Sequence, residues 1–195
     1  NGATLASAVD QANSATGDTS VVFTITAADE IQGTEANFTA LLADEGNSQI
    51  SITDQNLNVN SGTVSVANAN LLSGTTSGTV TASITTTEDV DTLKTLTETH
   101  AYTIVIAAGD ATSSTAAELT AINGATSLAV NASAITALAS DNISNINTLL
   151  TAGNDTNQFT SNSFSSLATV VVSDTTLNGA TLASAVDQAN SATGD

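Results

Sequence analysis

The chain of 195 residues has no cysteine, proline, methionine or tryptophan, and Lys94 is its only lysine or arginine. Without cysteine, disulfide bonds and thiol chemistry are excluded. Without basic side chains, the chain has almost nothing that could neutralise phosphate groups, so we expect it to bind neither nucleic acid nor anionic lipid. The absence of arginine also removes the usual clamp for anionic substrates.

Sequence motifs of catalysis are missing as well. The chain contains no GxSxG, GxxxxGK[ST], GxGxxG or HExxH pattern, and its single histidine, His100, has no cysteine or second histidine beside it. A lone histidine of this kind is predicted to lie at a strand start or on the surface. We therefore expect that the protein is not an enzyme. No apolar run approaches the roughly 18–20 residues that span a membrane, so membrane insertion is not expected.

The charges that are present have nearly one sign. Nineteen acidic residues give a formal net charge of −18, although charged residues make up only 10% of the chain. Such a surface repels itself unless cations screen it, which a calcium-rich medium would do. Disorder is not indicated, because hydrophobic residues make up 41% of the chain and recur periodically.

One stretch of eighteen residues occurs twice. NGATLASAVDQANSATGD fills positions 1–18 and returns unchanged at 178–195. Internal repetition of this kind is typical of tandem arrays. We predict that residues 1–177 form one complete repeat unit and that residues 178–195 begin the next. The alternatives are a single protein with matching terminal segments and an engineered duplication.

Short segments with two different periods alternate along the chain. Apolar residues at every second position predict strands that begin near 22, 50, 82, 104, 128 and 170. Apolar residues three and four apart predict helices between these strands, at residues 5–12, 38–42, 93–96, 119–122 and 143–150. An additional strand is predicted at Val64–Val66, a helix or turn at Ala67–Leu72, and an extra, poorly marked segment around Asn154–Ser166.

This succession predicts an α/β fold: a right-handed repeat solenoid with a parallel sheet on one side and short helices on the other. Each short element is too small to cover its own apolar face, so the neighbouring coil must cover it. Residues 178–195 would then form the next coil and cover the last strand. A chain of separate β-sandwich modules is the alternative, but no proline- or glycine-rich joints are present.

Several acidic residues come directly after predicted strands: Asp29, Asp54, Asp89, Asp110 and Asp174. Aspartates at such positions are predicted to cap the next helix, because they accept hydrogen bonds from its unpaired N–H groups. The densest cluster is Glu88, Asp89 and Asp91, which we predict as a candidate calcium site because hard cations prefer several oxygen ligands. The cluster lacks the later glycine and glutamate of an EF-hand loop, so capping and turn formation are the alternative roles.

The stretch from Tyr102 to Ser140, YTIVIAAGDATSSTAAELTAINGATSLAVNASAITALAS, resembles repeat regions of giant secreted cell-surface proteins of marine cyanobacteria, of the type associated with swimming. The shared features are a strand that ends in AGD, an alanine-rich helix and a subsequent V-x-A-S-x-I-T strand. The resemblance implies secretion, calcium-rich surroundings and a surface or filament role, and it supplies no catalytic residue. The calcium-binding nonapeptides that often accompany such proteins are absent from this chain.

These observations lead to one functional expectation and one alternative. We expect a structural component of an extracellular filament, fibre or surface layer, located outside the cell or at its surface. Its partners would be copies of itself, joined covalently in tandem or head to tail. The alternative is the non-catalytic stalk of a giant bacterial adhesin. A stalk would remain single, whereas a filament protein would show contacts between chains.

Overall fold

The structure, a computed structural model, describes residues 1–16, 21–25 and 28–193. Asp18 and Asp195, which close the two copies of the repeated stretch, lie outside these ranges. The chain divides into two compact units, Asn1–Ser83 and Ile84–Asp195. No helix in the described ranges is long and apolar enough to cross a membrane.

Within the described residues, the first unit has three helices and five strands. The helices are α1 (Gly2–Thr16), α2 (Glu35–Gly46) and α3 (Val66–Thr75), and the strands are β1 (Phe23–Thr24), β2 (Glu30–Thr34), β3 (Ile50–Ser51), β4 (Asn56–Ser61) and β5 (Val80–Ser83). Strand β1 pairs with β3, and β2, β4 and β5 lie side by side in that order. In this register Ile31 lies opposite Leu57, which lies opposite Val80. The three side chains are buried and form one apolar row across the sheet.

The described part of the second unit contains four α-helices, one short 3₁₀ helix (Ala108–Asp110) and three strands. The helices are α4 (Val90–Leu93), α5 (Ala116–Gly124), α6 (Ile143–Gly153) and α7 (Gly179–Thr193), and the strands are β6 (Ala101–Thr103), β7 (Ala137–Asp141) and β8 (Thr169–Val172). Strand β7 pairs with β8. Isolated bridges join His100 to Thr126, Val105 to Asn131 and Val130 to Phe159.

All of these pairs and bridges are parallel, and in each of them one α-helix lies between the two partners along the chain. Parallel neighbours require a crossover connection, and here a single short helix supplies it. The prediction of an α/β fold with parallel sheets is therefore confirmed. Consecutive helices within a unit also contact one another, as α1 does with α2 and α5 does with α6.

Buried hydroxyl groups form a second set of contacts between successive segments. Thr76 donates its Oγ1 hydrogen to the carbonyl oxygen of Gln55 at 2.6 Å, and Thr126 donates in the same way to Tyr102 at 2.7 Å. Because a buried carbonyl without a partner is costly, these bonds satisfy backbone groups that the short strands leave open. These contacts were not predicted, although the Thr-Ser pairs at 76–77 and 126–127 are a visible signal in the sequence.

Several sequence predictions differ from the structure. The strand predicted at Val64–Val66 is wrong beyond Val64, because Ser65 accepts a hydrogen bond from the N–H of Asn68 at 3.2 Å and begins helix α3. The segment near 128 contributes isolated bridges and no regular strand. The strands β2, β4 and β7 were not predicted, because asparagine, glutamine, glycine and alanine in them weaken the strand pattern.

The extra segment predicted around Asn154–Ser166 is present. Phe159 pairs with Val130 in a parallel bridge and packs against Phe164, with 5.1 Å between the ring centroids. Both phenylalanine side chains are buried. Gly153 is needed beside them, because an added Cβ would lie 2.7 Å from the Phe164 ring. The segment therefore fills the longest interval between predicted strands.

Two glycines of the first unit provide a test of the close packing between its segments. A Cβ at Gly78 would lie 2.5 Å from the carbonyl oxygen of Gln55, whereas a Cβ at Gly74 in α3 would meet nothing within 4 Å. We predict that Gly78→Ala lowers the free energy of unfolding by about 2 kcal/mol. Gly74→Ala should raise it by up to about 1 kcal/mol, because alanine favours the helix. Urea denaturation measures the stability of both variants. Equal changes in the two free energies of unfolding would contradict this packing.

Candidate functional site

The repeated stretch forms the same local structure in both places. Helices α1 and α7 each have fifteen residues with the sequence GATLASAVDQANSAT. Asn1 Oδ1 accepts a hydrogen bond from the N–H of Ala3 at 3.0 Å, and Asn178 Oδ1 accepts one from Ala180 at 2.9 Å. Since an asparagine cap of this kind starts a helix, the local sequence determines the helix wherever it occurs.

Helix α1 packs through one narrow side, which we call the Gly–Ala–Val face (Gly2, Ala6 and Val9). Gly2 is buried, Ala6 is 5% exposed and Val9 is fully covered. A Cβ added at Gly2 would lie 3.1 Å from Leu41 Cδ1 in α2 and 3.5 Å from the Gln32 carbonyl oxygen in β2. This face is therefore fitted to a strand and a helix that come later in the chain.

In α7 the same face (Gly179, Ala183 and Val186) is open. A Cβ at Gly179 would meet nothing within 4 Å, and Val186 is 50% exposed. Leu182, one turn away on the same side of the helix, is 37% exposed. The sequence that is buried in α1 thus presents an uncovered apolar surface in α7.

Helix α7 packs instead through a second side, the Thr–Ala–Gln face (Thr181, Ala185 and Gln188). Ala185 is 4% exposed, and α7 contacts α6. Asn154, which caps the end of α6, donates from Nδ2 to the Gln188 carbonyl oxygen at 3.3 Å and to Gln188 Oε1 at 2.7 Å. This face is therefore fitted to the helix that precedes it in the chain.

In α1 the Thr–Ala–Gln face (Thr4, Ala8 and Gln11) is largely free. Thr4 and Gln11 are exposed, and Ala8 is half-buried. An open cleft of about 330 Å³ runs beside this face and is lined by Thr4, Leu5, Ala8, Ile25 and Ile31. At about 100° of rotation per residue, the two faces point roughly 160° apart around the helix. One helix of this sequence can therefore contact two neighbours at the same time.

Acidic side chains meet the N-termini of three helices in the second unit. Asp110 accepts a hydrogen bond from the N–H of Val90 at 3.2 Å, and Asp174 accepts one from Ile143 at 2.6 Å. The prediction that such residues cap the next helix is wrong for these two, because each contacts the helix one segment earlier. A carboxylate there also interacts favourably with the helix dipole.

Asp141 joins two helix N-termini. Its Oδ2 accepts a hydrogen bond from the N–H of Ala117 in α5 at 2.8 Å. Its Oδ1 accepts one from the N–H of Asn142 at 2.8 Å and one from the Asn145 side chain at 2.8 Å, both at the start of α6. The acidic residues of this unit therefore connect consecutive segments.

The residues of the predicted calcium site have protein partners. Asp89 is the N-cap of α4, where its Oδ1 accepts a hydrogen bond from the N–H of Thr92 at 2.7 Å. Hydrogen bonds from Thr92 lower the pKa of the Asp89 carboxyl. Among the described residues no group of three histidine or acidic side chains has the arrangement of a metal site. Calcium binding by Glu88, Asp89 and Asp91 stays a prediction from the sequence.

The only lysine connects two helices of the second unit. Lys94 Nζ lies 2.5 Å from Asp91 Oδ1 and 2.8 Å from Glu118 Oε1. Both carboxylates raise the pKa of Lys94 by hydrogen bonding. Asp91 is thus engaged with a cation of the chain itself, and α4 is linked to α5.

His100 lies at a strand entry, as predicted, but it is buried and not on the surface. It is 5% exposed, bridges to Thr126, and meets the Tyr102 ring edge-on at 5.5 Å between centroids. Burial lowers the pKa of the His100 imidazole, and the nearby Glu98 carboxylate opposes that shift. His100 therefore packs within the core of this unit.

A buried carboxylate lies near the contact between α1 and α2. Asp44 in α2 is 6% exposed, and its Oδ2 has no hydrogen-bond partner among the described residues. Burial, together with the negative charge of Asp10 in α1, raises the pKa of Asp44. The charged form of Asp44 therefore weakens this contact.

Comparisons of the chain with protein-family models, with curated proteins and with solved structures gave no match. The function of the chain is therefore inferred from its own packing. Its most specific feature is the helix sequence that packs through different faces in α1 and α7.

The first unit should be more stable at acidic pH than at neutral pH because of Asp44. Because folding raises the pKa of Asp44 above its ordinary 3.8, the free energy of unfolding falls as the pH rises from 3.8 through the folded pKa. We predict that Asp44→Asn weakens this dependence and raises the free energy of unfolding at pH 7 by about 1 kcal/mol. Asp10→Asn should act in the same direction more weakly. Asp187→Asn, at the equivalent exposed position of α7, is the matched control and should change nothing when the pH dependence of urea denaturation is measured.

Asp141 tests whether the acidic residues connect segments. We predict that Asp141→Ala lowers the free energy of unfolding by about 1–2 kcal/mol, because it leaves N–H groups of two helix starts without an acceptor. Asp187→Ala removes the same charge from an exposed helix position and should alter stability little. Equal effects of the two variants in thermal unfolding would show that charge alone, and not the capping contact, matters.

Proposed function

We propose that this chain is a structural repeat protein in which units of 177 residues follow one another in a continuous right-handed α/β solenoid. The observation that carries the proposal is the two-faced helix. In α7 its Thr–Ala–Gln face packs on the preceding helix, and in α1 its Gly–Ala–Val face packs on a later strand and helix. A helix that used both faces at once would join one unit to the next without a gap.

The strand pairing within each unit supports this proposal. In each pair the partner lies one helix further along the chain and runs parallel to it. Successive segments of a solenoid pair in this way, because every turn of the chain returns to the same edge of the sheet. The apolar row of Ile31, Leu57 and Val80 is an example of a segment that covers the one before it.

Uncovered apolar side chains near the end of the second unit support continuation. Val171, Leu177, Leu182 and Val186 are 45%, 38%, 37% and 50% exposed. In a tandem array, the residues after the repeated stretch would place the equivalents of β2 and α2 against Val186. Val186 would then become interior, as Val9 in α1 already is.

The proposed setting is extracellular, as a filament, fibre or surface layer. The resemblance of Tyr102–Ser140 to secreted surface proteins favours it, and the near absence of lysine and arginine leaves trypsin-like proteases few cleavage sites. A net charge of −18 would keep such a fibre hydrated, and cations such as calcium would limit repulsion between units. The stalk of an adhesin would use the same unit without lateral contacts between chains.

A chain of two covalent units tests the proposal. It would carry residues 1–177 twice, and then residues 178–195, so that one copy of the repeated helix lies at the junction. We predict one cooperative thermal transition at a higher temperature than for the 195-residue chain, because neighbouring repeats stabilise each other. X-ray scattering should show one rigid particle and not two flexibly joined globules.

The junction itself can be tested by a matched pair of substitutions. Aspartate at the junction position equivalent to Val186 should lower the stability of the two-unit chain by about 3 kcal/mol, because it buries a charge. Aspartate at the position equivalent to Ser184, which is exposed in both helices, should have little effect. Two independent transitions, or a flexible pair of globules in scattering, would contradict the solenoid array.

A further inference from the structure

We propose that separate copies of this chain join head to tail by exchange of the repeated helix: α7 of one copy takes the place of α1 against β2 and α2 of the next copy. The inference rests on the proposed function and deepens it, since it names the partner and the surface through which units associate without a covalent link. The occupant of the open Gly–Ala–Val face of α7 is thus a second copy of this chain.

The acceptor surface is already seen in its filled form. In α1, Gly2 lies against Leu41 and the Gln32 carbonyl oxygen, and Val9 is fully covered. Helix α7 has the same fifteen residues and the same asparagine cap. It can therefore make each of these contacts with another copy, and Val186 would change from 50% exposed to covered.

The donor helix does not have to leave its own unit. Helix α7 holds α6 through Ala185 and Gln188, which lie on the Thr–Ala–Gln face. That face points roughly 160° away from the face that the acceptor would bind. The exchanged helix would be covered on both sides, whereas α1 is covered well on only one.

Release of α1 leaves the sheets of the first unit intact. Strand β1 pairs with β3 and strand β2 pairs with β4. These pairs do not involve α1, so they remain when α1 leaves. Because the donor and acceptor surfaces differ, each added copy presents a new open α7 face. A heterologous contact of this kind joins copies head to tail.

Helix α1 of the same chain competes with α7 of another copy for the surface of β2 and α2. It is tethered to its own acceptor, which gives it an effective concentration on the order of millimolar. Association of the unaltered chain is therefore expected only at comparable protein concentrations. Any change that weakens α1 alone should promote association, and the same change in α7 should prevent it.

Identical substitutions in the two helices of the full 195-residue chain test this directly. Val9→Asp should expel α1 and lower the concentration for half-association by at least about tenfold, because the competitor is removed. Val186→Asp should leave the chain monomeric, since an aspartate cannot enter the acceptor. The double variant should also be monomeric. Sedimentation velocity and light scattering measure the association of the three variants. Ser184→Asp is the control and should associate as the unaltered chain does.

A synthetic peptide with the sequence of residues 1–18 separates exchange from non-specific aggregation. Added to the Val9→Asp variant, the peptide should fill the free acceptor and return the protein to monomers with one peptide bound to each chain. The exchange mechanism is overturned if the peptide has no effect or if Val186→Asp associates as strongly as Val9→Asp.

A second variant covers the case in which Val9→Asp disturbs the fold, which circular dichroism would reveal. Gly179→Leu faces open space in its own unit, so it should leave the fold unchanged and abolish association at high concentration. Unchanged association of Gly179→Leu would overturn the exchange. If folded Val9→Asp stays monomeric while the two-unit chain unfolds cooperatively, the exchange between separate copies is wrong. The proposal of a covalent array would still hold.

Discussion

The structure depends on one constraint: no segment of this chain can bury its apolar face alone, so each must be covered by the segment one helix away. Strands of two to six residues and helices of four to fifteen expose too much of their own surface. Parallel pairing across a single helix meets this need, and it places Ile31, Leu57 and Val80 in one buried row. In α7, where no later segment is described, Val186 stays half exposed.

Polar residues complete the contacts that the short strands cannot make. Thr76 and Thr126 bond to carbonyl groups of the preceding segment, and Asp141 holds the starts of two helices together. These contacts need little charge and no arginine, which fits a chain with 10% charged residues. The acidic side chains therefore have a structural role in addition to their contribution to hydration.

The repeated helix shows how one sequence acquires two roles. Val9 and Val186 are the same residue in the same helix, yet the first is covered and the second is half exposed. The difference lies only in their neighbours: α2 and β2 in one case, α6 in the other. The same amino-acid sequence therefore buries different sides in its two places.

Sequence alone determined the α/β class and the helices with clear apolar periodicity, such as α2, α5 and α6. It also showed that the same eighteen residues occur at positions 1–18 and 178–195. It also indicated that Asp89 could cap a helix, because capping depends on neighbours within a few residues. It did not predict strands such as β4, whose asparagines are poor strand formers, nor the burial of His100. Only tertiary packing decided those features, and only packing decided which face of the repeated helix is used, because burial depends on neighbours that are distant along the chain.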